Sequence, residues 1–174
     1  MAANKFGRYV WLVDLIRCHP YITFKEISDA FEDIEVTPEE IERLYDIFEI
    51  IPENMYTADD LNYNDDNCRA NQEMNDDSAR PAISNDLSVV SEYDVIYLGY
   101  PIWWGTAPRI IQTFIENYDI SGATVYMFCT SGGSGIESSI SDLQMLYPDI
   151  NIVDGKRLND VTETDIREWI ESLN

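Results

Sequence analysis

Two short runs hold the residue types best suited to chemistry in this chain of 174 residues. The first, Pro101-Ile102-Trp103-Trp104-Gly105-Thr106, sets two adjacent tryptophans between a proline and a glycine. Adjacent indoles in a loop leave apolar surface in water unless something flat covers them, and an aromatic pair adds on the order of 1 kcal/mol beyond burial. Two readings fit: a planar ligand lies against the indoles, or one or both pack into the protein's own core or an oligomer interface. The second run, Thr130-Ser131-Gly132-Gly133-Ser134-Gly135, lies between an apolar run and a helical one. Glycines let a ligand approach the backbone, and free amides at a helix N-terminus suit an electron-rich oxygen or a phosphate. An ordinary tight turn with Ser134 capping the next helix is the alternative.

Other chemistry has little support. A single histidine, His19, is poor material for a zinc site or a Ser-His-Asp triad. Cys18, Cys68 and Cys129 show no CxxC or CxxH spacing. Unpaired cysteines without a signal peptide point to a reducing cytoplasm. The acidic, Asn-rich stretch 53–79 lacks calcium-loop spacing and reads as a solvated surface loop. Arg80 and Arg109 are the cations nearest the two runs in sequence, free for a ligand or paired with neighbouring carboxylates. No catalytic acid, base or metal cluster emerges.

Charge narrows the partners. With 33 acidic against 11 basic residues the formal charge is −22, which repels nucleic acid and anionic lipid and attracts cationic patches on partners. The longest apolar stretches are far shorter than a membrane span. A hydrophobic fraction of 45% is ample for a packed core.

The elements that must position the runs form an α/β pattern. Residues 46–51 (DIFEII) read as a short strand stopped by Pro52. Residues 53–91 form a long irregular excursion with one turn of helix near residues 86–91. Strands at 93–100, 123–129 and 151–153 alternate with helices at 108–118, 136–146 and 162–173, the last capped by Thr162. That alternation predicts a parallel sheet covered on both faces.

Residues 1–45 read two ways. As helices, residues 8–18 end before Pro20, Thr23 opens a capping box with Glu26, and Thr37-Pro38 starts a third helix. As a strand, Tyr9–Val13 is an aromatic and β-branched run suited to the middle of a sheet. The stripe Leu12, Leu15 and Ile16 favours helices, and the segment then resembles the helix-turn-helix opening of some bacterial transcription regulators. It holds 5 basic and 9 acidic residues, the wrong sign for DNA contacts.

YDVIYLGYPIWWGTAPRIIQTFIENYD followed by FCTSGGSGI closely resembles the flavodoxin-like family, which holds flavin mononucleotide (FMN). The likeness extends back through IFEIIPENMYTADDLNYN and covers about residues 46–174. It implies a flavodoxin-like three-layer sandwich with a parallel sheet ordered 2-1-3-4-5. It also implies FMN held by Pro101, Ile102, Trp103, Trp104, Gly105 and Thr106 on one side of the ring. Thr130, Ser131, Gly132, Gly133, Ser134 and Gly135 would run along the other edge, where backbone groups help set the redox potential. The implied activity is electron transfer or flavin-dependent oxidoreduction, with a redox partner protein.

One expected part is missing from the sequence. The family opens with a strand and a Thr/Ser-rich, Gly-containing loop around the FMN phosphate, and nothing before Asp46 resembles it. With a helical segment in place of that strand, residues 46–51 and 93–100 would show open apolar edges, an aggregation hazard. The N-terminal segment fills the gap, the two strands pair directly, or a second copy of the chain covers the edge. A truncated or fused module that no longer binds FMN and serves in interaction or regulation is the second functional reading.

Overall fold

A computed structural model describes residues 9–13, 45–159 and 161–173. Five strands form one parallel sheet: β1 (Tyr9–Val13), β2 (Tyr45–Glu49), β3 (Val95–Pro101), β4 (Thr124–Thr130) and β5 (Asn151–Arg157), in the order β2-β1-β3-β4-β5. The helical reading of residues 8–18 is therefore corrected over Tyr9–Val13, which pairs in register with both β2 and β3. Pairing on two sides gives the backbone of an aromatic, β-branched run partners in both neighbouring strands, which outweighs a three-residue helical stripe. The first strand is present, and the sheet draws on both sides of residue 45. The open edges expected between β2 and β3 do not arise, because β1 pairs with both; the sheet's outer edges are β2 and β5. The remaining N-terminal helices, the resemblance to a regulator, and the segment after β1 lie outside the described residues.

Side chains alternate across the strands and build two layers of core. Ile96, Leu98 and Tyr100 of β3 and Val125, Met127 and Cys129 of β4 face α2 (Arg109–Asn117) and α3 (Glu137–Leu146). Tyr97 and Phe128 face α4 (Glu163–Ser172) through Ile166, Trp169 and Ile170. Gly99 lets the Phe128 ring cross β3, since a Cβ there would come within 2.1 Å of it. The closing helix begins as its sequence predicts: the Thr162 hydroxyl accepts from the Asp165 amide, and Asp165 accepts from the Thr162 amide at 2.7 Å.

The excursion is more ordered than its composition suggests. Pro52 bridges Ile83, Glu53 N–H donates to Ala82 O at 2.8 Å, and Ser84 N–H donates to Ile51 O at 2.8 Å, so its two ends are tied together. It carries a helix that the sequence does not announce, α1 (Arg69–Asn75), whose N-cap is the Cys68 sulfur. A short 3-10 turn at Ser88–Glu92 matches the expected turn of helix. Arg109 reaches from α2 to the C-terminal carbonyls of α1, Glu73 O at 3.3 Å and Met74 O at 3.1 Å, and pairs with Asp77 at 2.6 Å. A cation there complements the negative end of the helix.

Candidate functional site

Both chemistry-bearing runs leave the carboxyl ends of adjacent parallel strands. Pro101 and Thr130 are the last, paired residues of β3 and β4, and Ile102 N–H donates to Thr130 O at 2.8 Å, binding the two loops at their roots. Strand order reverses between β1 and β3, so the first loop rises from one wall of the crevice where open α/β sheets hold ligands.

The first loop is a tight turn. Trp103 N–H donates to Thr106 O at 2.9 Å and Thr106 N–H to Trp103 O at 3.0 Å. Trp104 and Gly105 between them have φ of 48° and 85°, the two left-handed residues of a type I′ turn. Gly105 takes that conformation freely, whereas Trp104 is strained by about 1–3 kcal/mol. The strain turns the two indoles apart. Trp103 is 2% exposed, packed among Leu61, Cys68 and Ala70 and edge-on to Tyr56 at 5.3 Å. Its side chain is thus part of a small core. Trp104 is 51% exposed, at right angles to Trp103 and edge-on to Tyr63 of the excursion at 5.0 Å. Sequence reasoning missed Tyr63, whose only signal is an aromatic inside a polar stretch. Pro101, Ile102, Gly105 and Thr106 are half-buried.

The second loop is open. Thr130 and Ser131 are half-buried, and Gly132, Gly133, Ser134 and Gly135 are exposed. Ser131 Oγ accepts from Gly133 N–H at 3.1 Å and donates to Ser134 O. The amides of Gly132, Ser134 and Gly135 donate to no group among the described residues. A Cβ at Gly132 or Gly133 would touch nothing within 4 Å, and neither has a left-handed φ. Neither packing nor conformation demands glycine at these two positions, and the bare backbone leaves room for a ligand to approach closely. Ser134 is not the helix cap. The cap position is Ile136, which has no side-chain bond, and Glu137 occupies the first turn of α3. That carboxylate makes the helix start a poor seat for a dianion, so the loop suits an uncharged, electron-rich edge.

Nearby groups brace the site. The Tyr100 hydroxyl lies 2.9 Å from Ser139 Oγ, tying β3 to α3, and burial pushes its phenol well above the usual value. Burial likewise pushes the Cys129 thiol up to about 12, which leaves it an unreactive core group. Arg80 pairs with Glu116 at 2.8 Å and Arg109 with Asp77, so both candidate cations serve as braces. Among the described residues no cluster of three metal-ligating side chains occurs, and no helix is long and apolar enough to cross a membrane.

Residues 35–173 match the family model for flavodoxin. The chain belongs to the flavodoxin family. A candidate flavoprotein of Bacteroides eggerthii is 36% identical, covers 95% of this chain and 97% of its own, and superposes with a TM-score of 0.76. A second, from Bacteroides uniformis, is 36% identical over 94% of this chain and 96% of its own, also with a TM-score of 0.76. A Lactobacillus acidophilus flavoprotein crystallised in complex with FMN shares the fold, at 18% identity, a TM-score of 0.66, and coverage of 94% and 99%. No curated protein matches the chain.

Proposed function

We propose that this flavodoxin-family protein binds FMN and acts in electron transfer or flavin-dependent oxidoreduction. The observation that carries the reading is the pairing of an exposed, strained Trp104 with an open glycine loop at the ends of adjacent strands. Trp104 offers a face for an aromatic ring, and the amides of Gly132, Ser134 and Gly135 offer donors to its polar edge. Bound flavin would supply the electron chemistry, and the protein's part is to orient it and set its electrostatic surroundings. The FMN complex of the Lactobacillus acidophilus relative supports the same reading.

A second reading, a flavodoxin module that no longer binds FMN, is favoured by one observation. Residues 14–44 contain no glycine and only Thr23, Ser28 and Thr37 as hydroxyl residues of the Ser/Thr type, so they offer little to a phosphate. Each charge-assisted bond missing from a phosphate site costs about 1.5–3 kcal/mol. An FMN titration followed by quenching of flavin fluorescence separates the two. Micromolar or tighter binding, weakened about tenfold or more by Trp104→Ala, is expected. No binding at hundreds of micromolar by the folded chain would leave the second reading.

A further inference from the structure

We propose that Asn159 is a positioning residue for the cofactor, holding the glycine-rich loop after β4 in its ligand-ready shape. The inference rests on the FMN reading above. The ladder between β4 and β5 continues past the last strand residue, with Leu158 N–H donating to Cys129 O at 2.8 Å and the Leu158 side chain 1% exposed. The next residue extends the ladder by a side chain. Asn159 Oδ1 accepts from Ser131 N–H at 2.9 Å, and Asn159 Nδ2 donates to Ser131 O at 2.8 Å. A carboxamide presents an acceptor oxygen and two N–H donors in a plane, so it can match both backbone polar groups of a single residue.

Ser131 passes the constraint on, since its hydroxyl holds Gly133 N–H and Ser134 O. The loop contains Gly132, Gly133 and Gly135, residues with the greatest conformational freedom to lose. Fixing such a loop before the ligand arrives lowers the entropy cost of binding and aims the open amides. A side chain 28 residues away along the chain thus fixes the root of the loop, from which Ser131 holds the rest.

The test compares Asn159→Ala and Asn159→Asp with the wild-type chain, each confirmed as folded by circular dichroism. The aspartate keeps an acceptor for Ser131 N–H, but at neutral pH it faces Ser131 O with no donor. Both variants are expected to bind FMN about tenfold more weakly. Each should also move the midpoint potential of bound FMN to more negative values, because fewer fixed amides meet the added charge. In the ligand-free chain the Ser131 and Gly133 amides should exchange about tenfold faster. Wild-type affinity, potential and exchange rates in both variants would overturn the proposal. A wild-type chain that binds no FMN would overturn the function reading instead, and the exchange measurement would still decide whether Asn159 clamps the loop.

Discussion

At the residue scale, the two tryptophans of one turn have opposite duties. Trp103 is the hub of a small core under the excursion, where Tyr56 meets it edge-on. The Arg69 guanidinium lies 3.9 Å from the centre of the Tyr56 ring, and Glu73 bonds both Tyr56 and Arg69. Removing a buried tryptophan costs about 3–5 kcal/mol. Trp103→Ala is therefore expected to loosen residues 53–82 and lower the thermal midpoint, with faster proteolysis within that segment. Trp104→Ala, acting on an exposed face, should leave the thermal midpoint within about 2 °C of wild type while weakening FMN binding. Thermal denaturation of the two variants side by side checks the division.

At the element scale, the ends of the helices do more than their lengths. The α4 capping box joins Thr162 and Asp165 at the start of the helix that covers Tyr97 and Phe128. Loss of such a cap costs about 1 kcal/mol, so Thr162→Ala should lower the thermal midpoint by about 2–4 °C. The Thr162 hydroxyl and amide hold the Asp165 carboxyl below the usual carboxylate value. A depressed carboxylate contributes stability that is present above its unfolded value, near pH 4, and is lost as the pH falls through the lowered folded one. Asp165→Asn should accordingly be less stable at neutral pH and lose less on acidification to about pH 3, as thermal scans across pH would show.

At the scale of the whole molecule, charge sets the conditions for binding. A formal charge of −22 opposes the approach of any anion, and the excursion beside Trp104 carries Asp59, Asp60, Asp65 and Asp66. Screening weakens that repulsion, because the Debye length falls to about 10 Å at 0.1 M salt. FMN binding is therefore expected to tighten severalfold between about 0.02 and about 0.3 M salt, the reverse of a site dominated by cations. Titration at both ionic strengths checks this. Weaker binding at high salt would mean that positive charge controls the site.

The sequence by itself determined the alternation of strands and helices from Asp46 onward, the Thr162 cap, and the two loops at the strand ends. Those features are written locally, in apolar runs, caps and glycines. Four others were decided only by tertiary structure. Tyr9–Val13 became a central strand because β2 and β3 offered partners on both sides, which no local pattern displays. Helix α1 formed in a polar stretch because Trp103, from another loop, supplied its core and Arg109 its C-terminal charge. The exposure of Trp104 and the burial of Trp103 followed from a left-handed turn that adjacent identical residues cannot announce. Asn159 came to hold Ser131 because β5 lies beside β4, which places side chain and loop together across 28 residues of sequence.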